Sequence, residues 1–257
     1  MSIGQEFDPK GKPLITPASF FRPSDETLPN VVLVTFSIHA KEELLLSFPH
    51  RELVSCPGTC NGKIPLYELD VKGKKVLLYM TPIGSAIASS MMQEVAYITG
   101  AKKFVFFGSC GVIDPSKAEG KIIIPSESYR DEGFSYHYVP SSDYIKMENA
   151  DFLDDYFTKE GIPHIKGRNY CTDAMYMETD LKIKKRKEEG CLSVEMESSG
   201  LQALANYLGL DLYLFLFGGD KFFETWVPGD LGGEKEKVQQ LSTASIALNL
   251  ALRLIEK

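Results

Sequence analysis

Lys103-Phe104-Val105-Phe106-Phe107-Gly108-Ser109-Cys110-Gly111 sets an apolar run of strand length directly against a glycine-flanked polar pair. Such a run fits a strand buried on both faces, and the glycines behind it predict a tight turn at its carboxyl end. The pattern recurs outward from there. Val31-Val32-Leu33-Val34-Thr35-Phe36 is a continuous β-branched run followed by helical spacing from Ala40 to Phe48, and Leu212 to Phe217 is a strand candidate ending in Gly218-Gly219-Asp220. Lys63 to Leu69 and Lys74 to Met80 read as a hairpin around Val71-Lys72-Gly73. Ala86 to Thr99 predicts a buried helix stopped by Gly100, and Lys121 to Pro125 a further strand. Residues 151–161 and 180–190 alternate charge like exposed helices, Ser193 to Gly200 opens a helix running to Tyr207, and Lys235 to Ile255 closes the chain at helical spacing. Strands alternating with helices predict an α/β fold, a single domain with a central mixed β-sheet flanked by helices. Residues 1–30 are polar and proline-rich, with Phe20 and Phe21 as their apolar anchor, and read as an arm ahead of a catalytic domain over 31–257.

Composition removes several function classes. The 257 residues are 44% hydrophobic and 25% charged, as in ordinary globular proteins, and 28 Lys+Arg against 35 Asp+Glu leave a net charge of −7. That balance gives no footprint for nucleic acid, and no stretch approaches the ~20 apolar residues that span a bilayer. The N-terminus has no apolar signal core, so a cytoplasmic protein with neither nucleic acid nor membrane as partner is expected. Five scattered cysteines, of which only Cys56 and Cys60 are close, predict neither a disulfide framework nor a metal site.

In α/β sheets ligands bind beyond the carboxyl ends of the strands, which directs attention to residues 81–85, 108–111 and 218–220. Gly108 to Gly111 offers backbone N–H groups and the Ser109 hydroxyl to an anion, or simply permits a tight turn. Neither G-x-G-x-x-G after the first strand nor G-x-x-x-x-G-K-[ST] occurs, so dinucleotide and P-loop sites are unsupported. Glu195 and Glu197 flank Met196 where a helix begins. They form either an acidic first turn or a carboxylate site for vicinal hydroxyls, with methionine packing on the sugar or base. Asp220 follows an apolar strand and two glycines, where burial would raise its pKa and suit it to general acid work, unless it only caps the next turn. A thiol enzyme using Cys110 with His137 is a third reading, resting on residue types alone.

These segments, in this order, resemble the nucleoside phosphorylase family, which includes bacterial hexameric purine nucleoside phosphorylases, uridine phosphorylases and methylthioadenosine nucleosidases. The resemblance spans about residues 31–255 and is carried by 102–111, by Arg130-Asp131-Glu132-Gly133-Phe134-Ser135-Tyr136-His137-Tyr138, by Val194-Glu195-Met196-Glu197-Ser198-Ser199-Gly200 and by Gly219-Asp220. It implies that Glu197 accepts from the ribose 2′- and 3′-hydroxyls, that Met196 and Ile83 line the sugar, and that Asp220 protonates or hydrogen-bonds the leaving base. Gly108 and Ser109 match the phosphate site, Met175 and Tyr176 with Gly111 the base site, and residues 136–138 a loop shaping the pocket or a subunit contact. The departures concern phosphate. His39 stands where phosphorolytic members carry an arginine in the loop after the first strand, Phe106 replaces a second arginine, and residues 221–240 hold only lysines as cations. Neither replacement offers the planar fork that grips a phosphate.

The resulting expectation is an enzyme that cleaves the N-glycosidic bond of a nucleoside, purine favoured. The nucleophile is phosphate or water at Ser109 and His39, no cofactor is needed beyond phosphate as co-substrate, and the chain forms a homo-oligomer, dimer or hexamer. The alternative is a non-catalytic nucleoside-binding or sensing protein of the same fold.

Overall fold

Strand β1 (Val31–Thr35) is buried at all five positions, because it lies between two parallel neighbours, β4 (Lys74–Met80) and β5 (Lys103–Val112). A strand covered on both faces presents no side to water, so its sequence runs apolar without alternation. The computed structural model describes residues 3–5, 7–59 and 62–256. Among them eleven strands form one mixed sheet. The other members are β2 (His50–Thr59), β3 (Gly62–Val71), β6 (Ile122–Asp131), β7 (Tyr144–Lys146), β8 (His164–Thr172), β9 (Cys191–Glu195), β10 (Asp211–Phe222) and β11 (Trp226–Val227). The expected hairpin is present as the antiparallel pair β3 and β4. Cys60 lies outside the described residues, as does the side chain of Cys56.

Following the pairings from β5 traces a closed circuit. β5 is parallel to β10, β10 antiparallel to β6, β6 parallel to β8, β8 parallel to β9, and β9 antiparallel to β5. One end of the sheet is therefore rolled into a five-stranded ring, and β1, β4, β3 and β2 extend from it as an open wing. Helices α1 (Ile38–Ser47) and α7 (Glu234–Ile255) pack together and over β1 and β4, with α7 reaching β5, while α2 (Ser85–Thr99) packs on α6 (Ser198–Leu208). The short α3 (Pro115–Ala118) and the surface helices α4 (Ala150–Lys159) and α5 (Asp180–Glu188) complete the set. Phe107 and Phe215 stack across the paired strands β5 and β10, and Phe157 of α4 meets Phe215 edge-on, at centroid distances of 6.3 and 5.1 Å. In the segment before β1, Phe21 packs against the main core and Ser24 N–H donates to Ile98 O at 2.7 Å, whereas Phe20 stays exposed.

Ring closure overturns three local expectations. Residues 108–111 are not a turn but the second half of β5, and residues 218–220 continue β10 through a register shift. Gly111 pairs with Asp220 on one side and Val194 on the other. A Cβ there would meet Phe222 Cε2 at 2.6 Å and Val194 Cγ1 at 2.9 Å, so glycine marks a close approach between strands rather than a reversal of the chain. Finally, residues 193–195 end strand β9 instead of opening a helix, and α6 starts only at Ser198. No helix among the described residues is long and apolar enough to cross a membrane.

Candidate active site

A cavity of about 530 Å³ opens where the carboxyl ends of β5, β9 and β10 converge. Its wall is largely apolar with a few polar groups, the usual make-up of a small-molecule site. Four of those groups are carboxylates: Glu178, Glu195, Glu197 and Asp220.

On the β9 side the two glutamates at 195 and 197 do different work. Glu195 ends the strand, and its Oε2 accepts the N–H groups of Glu197 and Ser198, both at 2.8 Å. Its Oε1 accepts from Asn169 Nδ2 and Ser198 Oγ, both at 2.6 Å. That carboxylate caps α6 and is fully committed. Glu197, 7% exposed, holds only two donors, Gly84 N–H at 2.6 Å to Oε1 and Met196 N–H at 3.3 Å to Oε2. Burial, and secondarily the neighbouring Glu195, push its pKa up to about 8. Gly84 meets it at φ 110°, a backbone conformation that glycine alone adopts without strain, and Ser85 Oγ latches the same corner by donating to Met196 O at 2.9 Å.

The β10 side is built from more exposed segments. Asp220 is half-buried rather than buried, and its Oδ2 accepts the Trp226 indole N–H at 2.6 Å across the β10 and β11 pairing. Met175 and Tyr176 occupy a 3-10 turn at the cavity's edge, 51% and 94% exposed, and Ile83 across the mouth is 65% exposed. Glu178 directly follows that turn and turns into the cavity. Burial, then the charge of Asp220, raise its pKa to about 7 against the opposing pull of Lys182. Glu178 is not among the residues that the sequence singles out, although it lies only two positions beyond Tyr176, just past the stretch matched to the base.

Residues 39–254 match the family profile of the phosphorylase superfamily. Over 176 residues the chain is 30% identical to the DeoD-type purine nucleoside phosphorylases of Bacillus cytotoxicus and Bacillus cereus, a match covering 67% of this chain and 74% of each relative. The chain belongs to the phosphorylase superfamily, among the nucleoside phosphorylases. Its fold is also that of a uridine phosphorylase from Vibrio fischeri, at TM-score 0.71 over 90% of this chain and 93% of that one. The purine nucleoside phosphorylase of Toxoplasma gondii, solved in complex with immucillin-H, superposes at TM-score 0.67 over 88% and 93%. Both structures are 19% identical to it.

Within this phosphorylase-superfamily cavity, the residues expected at a phosphate or water site have largely aromatic surroundings. Ser109 is exposed on β5 and Gly108 is buried beside it, with the Phe36 ring 2.9 Å from where a Gly108 Cβ would stand. Phe36 and Phe106, tilted at a centroid distance of 6.3 Å, form an aromatic wall. A side chamber of about 40 Å³ adjoins it, its wall made by Phe36, Phe107, Phe217 and Gly108 together with the polar residues Thr35, Ser37, Ser109 and Gln240. There Ser37 Oγ donates to Gln240 Oε1 at 2.6 Å while accepting Ala40 N–H at 3.2 Å as the cap of α1. His39 sits exposed in the first turn of α1 and lines neither space. Among the described residues no Lys, Arg or His lines the cavity or the chamber. The 136–138 segment also stays out of the wall, with Tyr136 OH donating to Arg130 O at 2.8 Å and Tyr138 stacked on Phe134. A thiol mechanism is not supported: Cys110 is buried and donates to Phe217 O at 3.4 Å, burial and then Asp220 hold its pKa well above the usual range, and His137 is exposed.

Proposed function

We propose that the protein hydrolyses the N-glycosidic bond of a purine nucleoside, with water in place of phosphate as nucleophile. The observation that carries this reading is the make-up of the wall: four carboxyl groups and, among the described residues, no cationic side chain to balance an anion. A phosphate ion would add up to two negative charges to that space. Like unit charges about 4 Å apart repel by about 4 kcal/mol at an effective dielectric constant of 20, and no guanidinium among the wall residues offsets this. Water carries no such penalty, and the chamber beside Ser109, where Thr35, Ser37 and Gln240 supply polar groups in a largely apolar wall, is of a size to hold one.

The residues then divide the reaction among them. Glu197, protonated near neutrality while the cavity is empty, gives up its proton as the sugar binds and accepts from the two vicinal sugar hydroxyls, with Met196 and Ile83 against the sugar. As the bond from the anomeric carbon to the base nitrogen breaks, its electron pair leaves with the base, which takes a proton from the Asp220 and Glu178 side. The cationic sugar left behind is favoured by the carboxylates around it. Water from the chamber adds to the anomeric carbon and passes a proton to the wall, so the products are free base and free sugar. Purine suits this arrangement because its ring nitrogens receive the proton, with Met175 and Tyr176 against its faces. The reading includes a homo-oligomer, since Ile83, Met175 and Tyr176 leave large apolar surfaces uncovered at the mouth. Light scattering tests that part.

The decisive experiment incubates the protein with a nucleoside panel with and without phosphate and identifies the sugar product. Free sugar released at a rate indifferent to phosphate is expected. Sugar 1-phosphate with a saturable phosphate requirement would overturn hydrolysis, and no free base under any condition would leave a binding protein.

A further inference from the structure

The four carboxyl groups of the cavity differ in how firmly they are held as acceptors. Glu195 receives four hydrogen bonds, Glu197 two and Asp220 one. Glu178 receives none from any described side chain or backbone N–H, although it is half-buried and lines the same cavity. An N–H donor aimed at a carboxyl oxygen favours the ionised form, so a donor to the carboxyl makes it a poor proton carrier. The indole N–H of Trp226 already occupies Asp220 Oδ2, at 2.6 Å.

We infer that Glu178, and not Asp220, delivers the proton that the departing base takes up. This rests on the glycosidic cleavage proposed above. In the step, the Glu178 O–H bond breaks and an N–H bond forms on a ring nitrogen of the base as the glycosidic electron pair moves into the ring. Glu178 is left as a carboxylate and regains its proton from solvent once the base has gone.

The charged and titratable groups facing Glu178 come from three elements. Asp220 on β10 disfavours its ionisation, Lys182 on α5 favours it, and Tyr170 on β8 senses its charge from below. Lys182 makes no ion pair with Glu178 and instead reaches Asp131 Oδ2 at 3.4 Å. The raised pKa of Glu178, about 7, agrees with a proton carrier working near neutrality.

The test uses Glu178→Gln, a change at a half-buried position on the cavity's edge, with two substrates: a purine nucleoside that the wild type cleaves, and its N7-methylated counterpart. The methylated base is already cationic and leaves without a proton. The expected result is a kcat lower by ~10²–10⁴-fold on the neutral nucleoside, the usual contribution of general acid catalysis, and within about threefold of wild type on the methylated one. The wild-type kcat on the neutral substrate should fall as pH rises through about 7, and Glu178→Gln should abolish that limb. Asp220→Asn should retain the limb and move it to lower pH, because the neighbouring charge is gone. Equal losses on both substrates, wild-type turnover in Glu178→Gln, or an unchanged alkaline limb in it would overturn the assignment while leaving the hydrolytic reading standing. A wild type that releases no base from either substrate would overturn both.

Discussion

The β9 and β10 sides of one cavity carry the same chemistry on different foundations. Glu195 and Glu197 are below 10% exposed and stand among backbone N–H groups where a ring strand hands over to α6. Asp220 and Glu178 sit at a strand irregularity and after a 3-10 turn, beside side chains that are half or more exposed. On the first side, holding a carboxylate in place is part of holding the fold. On the second, the groups are attached to the fold without being needed by it. In the proposed reaction, the groups assigned to the sugar on the β9 side are therefore costly to alter, whereas those assigned to the base on the β10 side are open to change without loss of the core.

The largest effect should come from breaking the committed member of the first side. Glu195→Ala leaves the N–H groups of Glu197 and Ser198 without their acceptor, while Asn169 Nδ2 and Ser198 Oγ fall back on each other and on Ser128 Oγ. Unsatisfied buried groups cost about 1–3 kcal/mol each, so a loss of at least about 2 kcal/mol is expected, a fall in Tm of about 4–8 °C. Asp220→Asn on the other side should change Tm by no more than about 2 °C, since Asn still accepts from Trp226. Thermal unfolding of the two variants checks the contrast, and similar losses would dissolve it.

Next in size is Glu197→Gln, which should weaken nucleoside binding by ~1.5–3 kcal/mol, the range for hydrogen bonds to a charged acceptor, and leave free-base binding unchanged. Calorimetric titration with a nucleoside and with its base separates the two. Equal losses would remove Glu197 from the sugar.

The same contrast sets how much was legible in advance. Strands β1 and the first half of β5 announce themselves because burial on both faces requires continuous apolar runs, and the β3 and β4 hairpin is a local matter of turn residues. Ring closure is not local. Gly111 looks like a turn residue until Val194 and Phe222, more than 80 and 110 positions later, are seen to press on it from both sides. Strand β8 carries charged and polar residues among its apolar ones, as suits a strand that is only partly buried, and so it lacks the unbroken run that marks β1. At the site, the Val-Glu-Met-Glu segment points to a carboxylate but not to which one, because Asn169 and Gly84, which distinguish the two, lie in other elements. Glu178 was invisible for a related reason: an acidic residue beside a helix start reads as solvated until the cavity behind it is known.

The smallest effect sharpens the comparison through pH. Glu197 titrates at about 8 in the folded protein, against about 4.3 when unfolded. Below about pH 4 it is protonated in both states and costs nothing. Between there and about pH 8 the folded chain keeps a proton that the unfolded chain has released, so unfolding is progressively favoured as pH rises, and the loss is complete above about pH 8. Glutamine resembles the neutral form and carries no such slope. Glu197→Gln should therefore match wild type near pH 4.5 and exceed it near pH 8.5. One pKa unit is worth about 1.4 kcal/mol, so even a third of the shift predicts a gain of over ~1 kcal/mol, or about 2–4 °C in Tm. A variant that binds nucleoside less well yet melts higher at alkaline pH would show a carboxylate kept for ligand at the expense of the fold. A Tm difference that stays constant from pH 4.5 to 8.5 would instead show that Glu197 is as comfortably ionised as a surface group, and that the β9 side holds no strain for the sugar to relieve.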